Sequence, residues 1–245
     1  MSSTGRHVKI VFFDAGETLL HPHPSFAEIF ADVCRSAGHE VTAADVERVQ
    51  AGLAPHLMDL EHDETEDGAR SYKGSSLDED EARRFWMYLY RRFVAELGLD
   101  DDGLPNALFA RFTDLATYKL FDDVLPALRE LREAGLRLGF ISNFQRWLEE
   151  LLVELEVGHL FDVVMISGLA GVEKPDPEIY ELALQKAGVE PPDAVHVGDS
   201  PAMDMEPAHG IGMKVVLLDR GDRYRDLGWP RIESLKELGA AISKL

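Results

Sequence analysis

The chain has a single cysteine, Cys34, among its 245 residues. That excludes an internal disulfide framework and any zinc site built from several thiolates, and it fits a reducing compartment. Cations are also in short supply: 25 lysines and arginines face 45 aspartates and glutamates, for a formal charge of −20. Such a surface repels nucleic-acid backbones and anionic membranes, so the expected partner is a small-molecule substrate, with no nucleic acid and no membrane. No apolar run approaches the length of a membrane span, and the polar start Met1–Gly5 lacks the apolar core of a secretory signal. The expected location is cytoplasmic. No internal repeat or low-complexity run is present, and the sequence carries no signal for oligomeric state.

What the chain does have is enough apolar material, 45% of residues, for one substantial core plus an inserted subdomain. Five short runs are continuously apolar: Val8–Phe13, Leu136–Ser142, Val163–Ser167, Ala194–Val197 and Lys214–Leu218. Continuous rather than alternating apolarity is the pattern of strands buried on both faces, as in a parallel sheet. Helical patterns at Val124–Ala134, Arg146–Leu155 and Pro177–Ala187 lie between the later runs. With right-handed crossovers, this gives an α/β fold with a doubly wound, Rossmann-like, five-stranded parallel sheet.

The stretch from Pro22 to Tyr118 reads differently, with amphipathic helices and no strand. Ser25–Glu28 and Ser76–Glu79 fit the capping box, and Thr42–Asp45 is a weaker version. Phe85, Leu89 and Phe93 recur at four-residue spacing, with Trp86 and Tyr90 widening the stripe into a core face. The polar, acidic stretch His56–Ser76 reads as a mobile loop whose cationic and aromatic cluster is Arg70, Tyr72 and Lys73. The expected division is residues 1–21 and 119–245 as an α/β core, with 22–118 as a helical insertion.

The first apolar run ends abruptly in Asp14, followed by Ala15-Gly16-Glu17-Thr18. Open α/β sheets place reacting groups at strand ends, which makes Asp14 a candidate nucleophile. On this stretch alone a turn or helix-cap aspartate fits equally well. Later strands end in Ser142-Asn143 and Gly198-Asp199-Ser200, with Asp204 five residues beyond Asp199, and Glu173-Lys174-Pro175 follows the third. Each signal is weak singly, and a turn or cap explains it. Their order and βα spacing are what carry weight. Ser142 and the Asn143 backbone N–H can donate to a phosphate oxygen, and Lys174 can neutralise a carboxylate and a transferring group.

This constellation resembles the haloacid dehalogenase superfamily of hydrolases, in the branch with a helical cap inserted between the first and second motifs. Phe13–Thr18 looks like the first motif, Ile141–Asn143 the second, Lys174-Pro175 the third, and Gly198–Ser200 with Asp204 the fourth. The resemblance runs from Ile10 to about Asp219 and is strongest to general hydrolases related to a human capped member. It implies an aspartyl-phosphate on Asp14. It implies Mg²⁺ held by Asp14, the backbone carbonyl of Gly16 and Asp199, with Asp204 orienting these ligands. Thr18, Ser142 and Lys174 would bind the phosphoryl oxygens, and specificity would reside on the cap.

The sequence departs from the family at Gly16, where its phosphatases carry a second aspartate that serves as general acid and base. Glu17, His21, His23 or a cap residue are the available replacements; equally, Glu17 reads as a solvated turn residue and His21-Pro-His-Pro24 as a stiff hinge. We therefore expect a Mg-dependent phosphatase acting on a small phosphorylated metabolite. The alternatives are a metal-independent 2-haloacid dehalogenase and a catalytically impaired phospho-ligand-binding protein. Tyr180 fits the dehalogenase pattern and also an ordinary core residue, whereas Asp199 stands where dehalogenases carry a small polar residue. Phosphonate cleavage through a cap lysine would fall to Lys73.

Overall fold

The computed structural model describes residues 8–57 and 74–245. In chain order its elements are β1 Ile10–Phe13, β2 Leu20–Pro22, α1 Phe26–Ser36, α2 Ala43–Leu57, α3 Glu79–Glu96, α4 Leu104–Phe112, β3 Tyr118–Leu120, α5 Val124–Glu133 and β4 Arg137–Ser142. They continue with α6 Leu148–Glu154, β5 Val163–Ile166, α7 Ser167–Ala170, α8 Pro177–Ala187, β6 Ala194–Gly198, α9 Glu206–Gly210, β7 Lys214–Leu218, β8 Arg231–Ile232 and α10 Leu238–Ile242. Contacts divide the chain into one unit formed by Met1–Leu20 with Leu120–Leu245 and a second formed by His21–Lys119.

The first unit is built on a parallel sheet of order β5-β4-β1-β6-β7-β8. All four side chains of β1 are fully buried, as its unbroken apolar run requires of a strand covered on both faces. Ile10 and Phe12 join Ile141, Val163 and Val215 in one cluster against Ile179, Tyr180, Ala183 and Leu184 of α8. Val11 and Phe13 alternate to the other face. The chain runs from β1 outward through β4 to β5 and then returns to the opposite side of β1 with β6, so β1 and its neighbours form the topological switch point. In such sheets this is where ligands bind.

The sheet has six strands, one more than the apolar runs indicate. The addition, β8, is two residues long and pairs Leu217 with Arg231 and Leu218 with Ile232. An edge strand this short buries too little to leave an apolar run in the sequence.

The second unit contains α1 to α4, packed around Phe30, Phe85, Leu89, Tyr90, Phe93, Leu108 and Phe112. Phe26 stacks on Phe112 with ring centroids 4.8 Å apart, and Phe30 lies 5.3 Å from Phe93. The aromatic stripe is therefore core. The insertion is not free of strand, because β2 and β3 pair at its two ends. The caps also redistribute. Ser25 caps α1 by accepting from the Glu28 N–H, as expected. For α3 the cap is Asp78, accepting from Asp80 and Glu81, because its carboxylate outcompetes the Ser76 hydroxyl for a helix N-terminus. Thr42–Asp45 closes both bonds of the box. Arg70, Tyr72 and Lys73 lie outside the described residues.

Candidate active site

Asp14 is the first residue past β1, and its backbone N–H continues the ladder by donating to the Val197 carbonyl at 2.9 Å. That register sets the carboxylate beside the end of β6. The chain then turns sharply: Leu19 and Leu20 both donate to the Ala15 carbonyl, Glu17 donates to Leu20, and Glu17 adopts a left-handed φ of 56°. The turn faces Thr18 inward. Its Oγ1 is fully buried and has no partner among the described residues, and a buried, unsatisfied hydroxyl is uncommon in a folded core.

The other stations converge on Asp14. Lys174 Nζ donates to Asp14 Oδ1 at 2.6 Å and to Asp204 Oδ1 at 2.7 Å, with all three groups buried. Asp204 also accepts from His196 Nε2 at 2.9 Å and from the Ser200 N–H at 3.1 Å. It reaches this position because Ser200 caps a single π turn, Pro201–Met205, that folds the carboxylate back under Gly198. A Cβ on Gly198 would lie 2.3 Å from Asp204 Cγ, so only glycine fits there. Ser142, at the end of β4, is buried.

One oxygen each from Asp14, Asp199 and Asp204 lies within 4.8 Å of the other two. Facing these three carboxylates are the Lys174 ammonium and, on Asp204, the His196 imidazole. The electrostatics record the excess of negative charge. Burial pushes Asp199 up to about 8, and the charges of Asp14 and Asp204 push in the same direction. Burial also raises Asp14, with Lys174 opposing and Asp204 adding to the rise. Asp204 moves the other way: Lys174 and His196 outweigh its burial and hold it well below the carboxylate range. Burial disfavours charge on Lys174, yet Asp14 and Asp204 keep it protonated. A hard, all-oxygen donor set with surplus negative charge fits a divalent cation such as Mg²⁺. Arg223 lies 3.7 Å from Asp199 on the solvent side.

Asp14, Thr18, Ser142, Lys174, Asp199 and Asp204 thus all belong to the unit that carries the strand ends. Glu17 is exposed on the turn, and its charge is felt at Asp199. The Asn143 side chain is engaged elsewhere than at a substrate: its Oδ1 accepts from the Lys174 N–H at 2.6 Å, and its Nδ2 donates to the Lys174 carbonyl at 2.7 Å. It fixes the backbone that aims the lysine. His21 belongs to the helical unit, where Nδ1 donates to the Pro22 carbonyl at 2.9 Å and the ring meets His23 edge-on. Tyr180 is core, with its hydroxyl donating to the Met203 carbonyl and its ring edge-on to His196. Sequence reasoning missed His196 and the Asn143 clamp. The only hint of the first is a polar residue in the otherwise apolar strand Ala194–Gly198.

A doubly wound sheet that gathers an aspartate, a buried lysine and two further aspartates at its strand ends is the framework of a hydrolase. Residues 8–212 match the model of the haloacid dehalogenase-like hydrolases, and the chain belongs to that family. It is 30% identical over 222 residues to human haloacid dehalogenase-like hydrolase domain-containing protein 3, covering 86% of this chain and 82% of that one. It is 33% identical to a glyceraldehyde 3-phosphate phosphatase from Methanopyrus kandleri, covering 90% and 87%. It is 31% identical to a phosphoserine phosphatase from Thermus thermophilus, covering 89% and 92%. The fold matches the magnesium-bound HAD-hydrolase YfnB from Bacillus subtilis with a TM-score of 0.73 at 16% identity, covering 97% and 99%. Among the described residues, no helix is long and apolar enough to cross a membrane.

Proposed function

We propose that this protein is a phosphatase acting on a small phosphorylated metabolite in the cytoplasm, through an aspartyl-phosphate on Asp14. The observation that carries the reading is the convergence of Asp14, Asp199 and Asp204 around Lys174, which leaves surplus negative charge where an anionic substrate has to bind. Two relatives named as phosphatases agree with it.

The chain's own groups have distinct tasks. A carboxylate oxygen of Asp14 forms a bond to phosphorus as the ester P–O bond breaks, and the leaving oxygen departs with the bonding electrons. Thr18 Oγ1, the Ser142 hydroxyl and Lys174 donate to the oxygens of the transferring group, where charge is spread in the transition state. Mg²⁺ held by Asp14, Asp199 and the Gly16 carbonyl would neutralise charge between nucleophile and substrate. Asp204, fixed by His196 and Ser200, holds Lys174 in place rather than meeting substrate. Water then attacks phosphorus, the bond to Asp14 breaks, and phosphate leaves with the carboxylate regenerated. Position 16 offers no acid for the leaving oxygen, so esters whose alcohols depart unprotonated are the better substrates. Glu17 and His21 are the proposed polar contacts beyond the phosphate, and residues 22–118 the proposed cap.

The test is hydrolysis of p-nitrophenyl phosphate with and without Mg²⁺. Turnover that requires the metal and disappears in Asp14→Asn supports the reading. Halide release from 2-haloacids without metal, and no turnover of phosphate esters, would replace it with a dehalogenase.

A further inference from the structure

We infer that Arg220 is a positioning residue for the phosphoryl site, acting through the backbone of the Thr18 turn; this rests on the proposed role of that turn. Arg220 follows β7 and lies far from Thr18 in sequence. Its Nη2 donates to the Thr18 carbonyl at 3.0 Å, and Nη1 and Nη2 grip the two oxygens of Asp123 at 2.9 Å each. The guanidinium plane lies over the Phe121 ring, 3.9 Å from its centroid. A fork on one side and a ring on the other leave the guanidinium one orientation, which a flexible ammonium could not reproduce.

The support extends outward from there. Asp123 also accepts from the Ser234 hydroxyl at 2.7 Å and the Leu235 N–H at 2.9 Å, so the carboxylate that holds Arg220 is itself held by the C-terminal segment. Asp219, the preceding residue, is fully buried and accepts from the Arg223 and Tyr224 N–H groups and from Arg231, which fixes the loop. Thr18, by contrast, has no such anchor of its own. Its hydroxyl lacks a partner among the described residues, and it follows Glu17, whose left-handed φ is rare for a residue with a side chain. An ion pair that served stability alone would need only Asp123. The further bond to the Thr18 carbonyl fixes the backbone that carries the hydroxyl proposed to meet the phosphoryl group.

The experiment compares wild type, Arg220→Ala, Arg220→Lys and Asp123→Asn, with Arg132→Ala as a control that breaks the Arg132–Asp162 ion pair elsewhere in the same unit. Inorganic phosphate binding is measured by calorimetry and Mg²⁺ half-saturation by titration, and kcat and KM on p-nitrophenyl phosphate are taken on protein confirmed folded by circular dichroism. In Arg220→Ala, phosphate affinity and kcat should each fall about tenfold, as expected for a misplaced binding group, while Mg²⁺ half-saturation stays unchanged. Arg220→Lys and Asp123→Asn should lie between Arg220→Ala and wild type, and Arg132→Ala should lower stability only. Folded Arg220→Ala with wild-type phosphate affinity overturns the inference, as does an equal loss of phosphate and Mg²⁺ affinity. Phosphate binding reads the inference even if wild type turns over no ester, which would refute the phosphatase reading alone. If wild type binds no phosphate, both fall.

Discussion

Restoring a carboxylate at position 16 tests the proposed chemistry most directly. Gly16 lies outside the left-handed region, and a Cβ built on it meets nothing within 4 Å, so the backbone and the first carbon of Gly16→Asp are accommodated without strain or clash. A well-placed general acid is worth roughly 10²–10⁴ in rate, or about 3–5 kcal/mol of barrier. That benefit applies to leaving groups that need a proton, such as alkyl alcohols, and hardly at all to p-nitrophenolate. Against it stands the charge already present, since burial, with the charges of Asp14 and Asp204 adding to it, pushes Asp199 up to about 8. Another carboxylate nearby adds repulsion, raises the Mg²⁺ requirement, and also keeps the new group protonated, as an acid should be. A grafted acid without evolved supports should gain about 10–100-fold in kcat/KM on an alkyl phosphate, at or below the bottom of that range, with little change on the aryl ester. The assay is the alkyl-to-aryl ratio of kcat/KM at saturating Mg²⁺ for wild type and variant. An unchanged ratio refutes the reasoning. So does a wild type that already cleaves both esters equally well, because another group would then be supplying the proton.

Asp199→Asn removes one carboxylate from the triad and should raise Mg²⁺ half-saturation by at least about tenfold, the effect of losing even an indirect partner of a ligand, with the fold intact by circular dichroism. Gly198→Ala should destabilise the protein by about 3 kcal/mol and abolish turnover, because a Cβ 2.3 Å from Asp204 Cγ must displace a carboxylate bound by Lys174, His196 and Ser200. Asp123 gives the pH dependence: burial would raise its carboxyl, but Arg220, Ser234 and the Leu235 N–H together lower it from 3.8. A lowered folded pKa contributes stability that is fully present above the unfolded value and lost as pH falls through the folded one. Asp123→Asn should therefore cost about 2 kcal/mol near neutrality, a fall in Tm of roughly 4–8 °C, and that difference should shrink as pH drops below about 4. A gap independent of pH would count against the ionised Asp123–Arg220 pair.

The strands of the sheet that position the site were legible because burial on both faces demands unbroken apolar runs. Lys214–Leu218 and Pro177–Ala187 match the observed elements residue for residue. Strand β8 was not, because Arg231–Ile232 is ordered by neighbours: Leu217 donates to Pro230, and Asp219 donates to Ile232. Neither contact leaves a local pattern. Helix starts were legible as regions rather than as residues, since Ser76, Asp78 and the acidic turn after them compete for the same N–H groups.

The site divides along a similar line. Asp14, Lys174, Asp199 and Asp204 stood out because strand ends in a fixed order imply one location. The roles that tie the site together did not. Asn143 holds the backbone of Lys174, His196 holds Asp204, and Arg220 holds Thr18, each across at least eight residues of chain. Each is a polar residue whose type alone admits a turn, a cap or a surface role, and only tertiary packing selects among them. The consequence bears on how the chemistry could persist without an aspartate at position 16. A buried lysine shared by two carboxylates is kept charged by both of them, so the supports of Asp204 bear on Lys174 as well as Asp14 does. Losing a side chain at position 16 disturbs none of those supports, because the space beside it is empty. The binding and electrostatic parts of the site can therefore remain intact while the proton-transfer part is replaced or removed, and so substrate preference is where the change should show.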